Sequence, residues 1–260
     1  MGRSHLFSST ALAGLLVMPS AFAADMAPVP YRQSQGLQWS GFYLGANGGY
    51  AWSQDPGVSC TSSLITGSPC NTTPPSTFQA PTASGAEFGL QAGYNWQVAN
   101  WVFGFEADIN KLAAEGSTQF PSIDPSKGTD ATMSRYDWLG TARGRVGVVE
   151  GNALFYATGG FAYGRVGQQY ILGLTSNNTQ TFDTSGNRMG WTVGGGVDYG
   201  LDQHWSVRAE YLYVSLDNSN LDISNIRFTG NFGTPAPPGT SLLHFNNNLN
   251  ILRLGLNYRF

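Results

Sequence analysis

The sequence predicts an all-β fold, an eight-stranded antiparallel transmembrane β-barrel. Three observations lead there. Apolar and polar residues alternate with a period of two over eight separate stretches, the pattern of strands with two unlike faces. The connections between these stretches are alternately short and long, as they are when antiparallel strands run back and forth across a bilayer. All seven tryptophans fall near the ends of the stretches, where amphipathic rings settle at membrane interfaces.

From the N-terminus, Arg3 and His5 precede an apolar run over Ala11–Met18, and Ala21-Phe22-Ala23 has the small-x-small form of a cleavage site. Residues 1–23 therefore read as a signal peptide, with a run too short to cross a membrane as a helix. Residues 24–38, with Pro28 and Pro30, read as a linker, and 39–260 as the barrel. The first stretch, Gly41–Trp52, alternates weakly. In Ala86–Val98, Phe88, Leu90, Ala92, Tyr94 and Trp96 face one way and Glu87, Gly89, Gln91 and Gly93 the other. Trp101–Asn110 sets Phe103, Phe105 and Ile109 against Glu106 and Asp108. Tyr136–Val149 and Ala153–Val166 are weaker copies. Met189–Leu201 sets Trp191, Val193 and Tyr199 against Gly194, Gly196 and Asp198, and Trp205–Tyr213 sets Val207 and Tyr211 against Arg208 and Glu210. Asn250–Phe260 sets Leu252, Leu254, Leu256, Tyr258 and Phe260 against Arg253, Asn257 and Arg259. Leu139 and Leu212 fall on the polar face and are read as irregularities near strand ends.

The expected long loops are Ser53–Gly85, Lys111–Arg135, Gly167–Arg188 and Leu216–Asn248; tight turns lie around Asn100, Glu150–Asn152 and Asp202–His204. This assigns Trp39, Trp96, Trp101 and Trp205 to an aromatic girdle at the short-turn rim and Trp52, Trp138 and Trp191 to one at the long-loop rim. Cys60 and Cys70 lie in a Ser/Thr/Pro-rich stretch with no metal-ligand spacing. In an exported chain a local disulfide is expected, stabilising by about 2–3 kcal/mol at most.

Composition agrees with this fold. Charged residues make up 11% and aromatics 13%, which does not suit disorder, and a net charge of −3 gives no argument for nucleic acid. Lys111 and Lys127 are the only lysines among 13 basic residues; arginine is the cation preferred for pairing in confined places. A soluble eight-stranded barrel would turn its apolar face inward around a ligand. Eight strands about 4.8 Å apart and tilted by about 40° close at a radius of roughly 8 Å, so side chains nearly fill the bore. The face carrying small and charged groups can fill it, whereas the Phe-, Trp- and Leu-rich face suits lipid.

The charges then expected inside are Glu87, Glu106, Asp108, Asp137, Asp198 and Glu210 against Arg143, Arg145, Arg208, Arg253 and Arg259. Counting from the short-turn rim puts Glu106 level with Arg143 and Glu210 level with Arg253. Two readings stay open: a static ion-pair network that plugs the barrel, or a charged constriction that selects ions. Catalysis finds little support. His204 and His244 have no Ser or Asp partner at a shared height, and Gly194-Gly195-Gly196 lies inside a strand, away from any phosphate loop. No enzyme activity, cofactor or metal site is expected.

Bacterial outer-membrane barrels commonly end in a strand with an aromatic last residue read by the assembly machinery, and Tyr258 and Phe260 resemble that signal. "WSGFYLGANGGYAW" at Trp39–Trp52 resembles the first strand of the alphaproteobacterial outer-membrane β-barrel family, the porin-family or outer-membrane immunogenic proteins. "LGTARGRVGVV" at Leu139–Val149, "LFYATGGFAYGRV" at Leu154–Val166, "GWTVGGGVDYGL" at Gly190–Leu201 and "RAEYLYV" at Arg208–Val214 resemble its later strands. The resemblance covers Trp39–Phe260. It implies the outer membrane, with long extracellular loops, short periplasmic turns and a periplasmic linker. Outer-membrane lipids, lipopolysaccharide and the barrel-assembly machinery follow as partners. Family roles range over envelope integrity, small-solute passage, host contact and haem binding. A structural, surface-exposed protein of the envelope is thus expected, with a narrow channel or a receptor or adhesin acting through loops such as Val58–Pro74 and Phe228–Phe245 as alternatives. His244 beside Phe245 would be the haem ligand in the last case.

Overall fold

The computed structural model describes residues 37–54, 58–62, 77–78, 81–122, 128–173, 179–224 and 241–260. The signal peptide, most of the linker, Cys70 and hence the expected Cys60–Cys70 bond lie outside the described residues. Ten strands follow in order: β1 (Gly41–Ser53), β2 (Val58–Ser62), β3 (Thr77–Phe78), β4 (Ser84–Val98), β5 (Trp101–Pro121), β6 (Thr129–Glu150), β7 (Ala153–Leu172), β8 (Gln180–Gly200), β9 (Trp205–Asp222) and β10 (Ser241–Arg259).

Eight of them close a ring, β1-β4-β5-β6-β7-β8-β9-β10, because β1 also pairs with β10. Leu44 stands opposite Ala92 on one side and Tyr258 on the other. The short hairpin β2–β3 continues the wall beyond β1, β2 pairing with Ser241–His244 of β10. Closure removes the unpaired edges that a bilayer cannot tolerate.

The strands run further than the sequence pattern indicated. Strand β5 continues past Asn110 to Pro121 and β6 starts at Thr129, so most of Lys111–Arg135 is wall and not loop. Much of Gly167–Arg188 and the two ends of Leu216–Asn248 are likewise strand. The physical reason is an inversion of the wall. Near the short turns the outer face is apolar, with Phe88, Leu90, Phe103, Phe105, Phe155 and Leu254 exposed, and charges face the bore. Beyond Lys111 the outer face carries Glu115, Ser117, Gln169 and Asp183, while Leu112, Ala114, Val166, Tyr170 and Leu172 are buried inside. A wall clear of the lipid has no need of an apolar outer face, so its alternation resembles a polar loop. Register shifts between Lys111 and Ala114 and between Tyr136 and Trp138 mark the changeover.

The bore is filled in layers. At the short-turn end Trp39, Val102, Leu154 and Tyr156 pack together. Trp39 is therefore not part of the girdle. It precedes β1, is free of strand alternation, and turns into the bore at 1% exposure. Its backbone N–H donates to Gln97 Oε1 at 2.8 Å, and Arg259 lies 4.9 Å over its ring. The charged layer comes next. Above it Leu112, Tyr136, Leu139, Leu212, Val214, Leu249 and Ile251 form an apolar layer. Leu139 and Leu212 are thus inward core residues, not irregularities at strand ends. A polar chain follows, Ser134 donating to Gln168 at 2.5 Å and Gln168 to Asn247 at 3.0 Å. A second apolar cluster around Tyr170, Leu221, Leu243 and Phe245 fills the far end.

Trp96, Trp101, Trp191 and Trp205 are exposed on the outer wall, and Trp52 and Trp138 half-exposed. Trp96 meets Phe105 edge to face at 5.6 Å, and Trp205 meets Tyr258 at 5.0 Å.

Candidate functional site

Cross-strand pairing positions the charges. Glu106 on β5 is directly opposite Arg143 on β6, Asp198 on β8 opposite Arg208 on β9, and Glu210 on β9 opposite Arg253 on β10. All face the bore because they share the parity of the buried set. Glu106 is the hub. Arg143 binds one of its oxygens and Arg208 the other, Arg145 and Arg253 approach to 3.6 and 3.8 Å, and the Tyr43 hydroxyl donates at 2.5 Å. Asp108 accepts from Arg143 at 2.9 Å, Thr141 at 2.6 Å and Asn110 at 2.6 Å. Glu210 accepts from Arg143 at 3.1 Å, the Tyr156 hydroxyl at 2.9 Å and Arg253 Nε at 2.7 Å. Asp198 accepts from Arg145 at 2.9 Å and from Arg208 Nε at 2.6 Å. Glu87 meets only the edge of this cluster, 3.7 Å from Arg253 Nη1.

These side chains are sealed from solvent: those of Arg143, Asp108 and Glu210 have 0% exposure. Burying charge is tolerated only when pairing and hydrogen bonding replace water. Here every guanidinium of the cluster touches at least one carboxylate.

Two residues of the expected network stand apart from it. Asp137 sits at the Tyr136/Trp138 register shift, which turns it off the bore. It is part-exposed and pairs with Arg135 at 3.1 Å and Arg165 at 3.5 Å. Arg259, one residue from the end of the chain, donates to the Gln203 carbonyl at 2.9 and 3.2 Å instead. Tyr43 and Tyr156 were missed by attention to charge alone. Their signal was parity: Tyr43 shares the side of Asn47, and Tyr156 the side of Thr158, both buried. Arg145 lies 4.4 Å over the Tyr156 ring and 5.5 Å over that of Tyr43. Glycines make room for these rings: a Cβ at Gly93 would collide with Tyr43, and one at Gly196 with Tyr156. His204 stacks on Tyr258 at 5.6 Å, and His244 hydrogen-bonds Asn220 at 2.7 Å.

A closed, lipid-faced ring with charges sealed in its bore is the architecture of an outer-membrane barrel. The family model for the outer membrane protein beta-barrel domain matches residues 10–235. The chain belongs to this family. It is 31% identical to the 31 kDa outer-membrane immunogenic protein of Brucella melitensis, over 98% of this chain and 95% of that one. It is 27% identical to the 25 kDa outer-membrane immunogenic protein of Brucella abortus, over 93% and 91% of the two chains. The 22 kDa outer membrane protein of Rhizobium leguminosarum is 31% identical over 55% and 59%. This outer-membrane barrel therefore lies among bacterial lipids and lipopolysaccharide as an integral envelope protein.

Proposed function

We propose that this outer-membrane barrel is a closed wall element, neither conducting nor catalytic, that braces the outer membrane and presents its projecting strands and loops at the cell surface. One observation carries the reading. The charged layer lies between two apolar layers, so a solute would have to break buried ion pairs and also cross packed Leu, Val and Tyr side chains. Carboxylates held by guanidinium groups in a sealed bore offer nothing to a substrate. The immunogenic relatives support display of the projecting wall at the surface. The ion-pair cluster is the plug, the outer-wall tryptophans (without Trp39) are the interfacial girdles, and Tyr258 and Phe260 on β10 meet the barrel-assembly machinery. Cleavage near Ala23 and a Cys60–Cys70 staple belong to the same reading.

Deleting the gene tests this function. A structural role predicts greater sensitivity to detergent and to bulky antibiotics, with small-solute uptake unchanged. Loss of uptake of one small solute in an otherwise intact envelope would favour the channel.

A further inference from the structure

The outer wall carries a cationic cluster that the plug does not use. Among the described residues, the exposed lysine and arginine side chains are Lys111, Arg135 and Arg165, and they lie on three adjacent strands, β5, β6 and β7. Lys111 and Arg165 stand opposite Trp138 on either side, two strand spacings or about 10 Å apart. Arg135 and Arg165 both reach Asp137, at 3.1 and 3.5 Å, yet their side chains stay 55% and 48% exposed. One carboxylate thus fixes two guanidinium forks side by side and leaves them facing outward.

The height of the cluster identifies its ligand. On the bilayer side lie Ile109, Phe161 and Met189, exposed and apolar, and Trp138 packs edge to face on Tyr163 at 5.5 Å. On the far side the wall is polar, with Glu115 opposite Arg135 and Asp183 one step further out. Lys111 and Arg165 therefore occupy the row where lipid gives way to water, and they meet the headgroup before the flanking carboxylates do. Fixed guanidinium forks beside a lysine suit a phosphate, and cations at a bilayer surface are drawn to anionic lipid.

We propose that Lys111, Arg135 and Arg165 form a binding site for a phosphorylated headgroup of the outer-leaflet glycolipid. Asp137 is the positioning residue that holds the two arginines. The proposal rests on the outer-membrane placement of the barrel.

The mature chain is refolded into phosphatidylcholine nanodiscs and offered bisphosphorylated lipid A, dephosphorylated lipid A or inorganic phosphate, with retained ligand read by native mass spectrometry. Retention of the phosphorylated lipid several-fold above the dephosphorylated form is expected, lost in K111Q/R165Q and kept in E115Q/D183N. Equal retention of the two lipids, or an unchanged preference in K111Q/R165Q, overturns the site. Inorganic phosphate that binds or competes as well as lipid A would assign the cluster to free phosphate and overturn the lipid reading. The heat-dependent gel shift of a folded barrel is scored on every sample. A wild-type chain that never inserts counts against the membrane placement itself.

Discussion

At Glu106 four guanidinium groups converge within 3.8 Å of one carboxylate. Removing one partner leaves the others buried and unbalanced, a loss of about 3–5 kcal/mol. Arg143→Ala, which strips three carboxylates at once, should therefore lower the melting temperature of the refolded barrel, measured by its heat-dependent gel shift; an unchanged midpoint would count against a plug. Glu87 gives the contrasting case. The cluster holds five carboxylates, Glu87, Glu106, Asp108, Asp198 and Glu210, against four arginines, Arg143, Arg145, Arg208 and Arg253. Glu87 is the least engaged, with neither oxygen hydrogen-bonded among the described residues. Glu87→Gln should keep the midpoint or raise it, while Glu106→Gln lowers it; equal losses would contradict this ranking. Alternation alone made Glu106, Arg143, Glu210 and Arg253 legible in the sequence. Asp137 was not, because a one-residue register shift cannot be seen without the partner strand, and Arg259 was not, because its acceptor is a turn carbonyl that no pattern announces.

The inversion along β5–β8 belongs to the element scale. Alternation in Trp101–Asn110 is easy to read because the outer face is all apolar. In Lys111–Pro121 the apolar residues move to the inner face and the outer face becomes Glu115, Ser117 and Gln119. The same period persists with its polarity reversed, and Ser/Thr-rich composition disguises it as loop. Amide hydrogen exchange distinguishes the two: the hydrogen-bonded amides of 114–120 and 129–136 should exchange slowly, and exchange at the rate of free peptide would refute the extended wall. Gly196→Val displaces Tyr156 from Glu210 and should lower the melting temperature by more than Gly186→Val, where a Cβ meets open space. The β8–β9 turn adds a pH dependence. Backbone N–H groups of Trp205 and His204 both donate to Asp202 at 2.7 Å and hold its carboxyl below the usual aspartate range. A depressed folded value means that this contribution is present above the unfolded pKa and is lost as pH falls through the folded one. Asp202→Asn should flatten the acid limb of the stability profile; an identical limb would show that the turn contributes nothing.

For the whole molecule, a bore of this radius leaves two outcomes, a filled lumen or a thread of water. Apolar, charged and polar layers succeed one another along the bore of the described residues. Sequence reading reached the ring, its sidedness and the charged layer, because each follows from a period of two. It did not reach the apolar layers above and below, since Leu139 and Leu212 read as irregularities and Trp39 as a girdle residue until the strands were closed around them. The decisive measurement is the single-channel conductance of the refolded mature chain in a planar bilayer. A silent membrane, with insertion shown by the gel shift and the bilayer opened by a known porin in a parallel run, is the expected result. Steady openings that scale with salt concentration would contradict the closed wall and recast the buried charges as a filter.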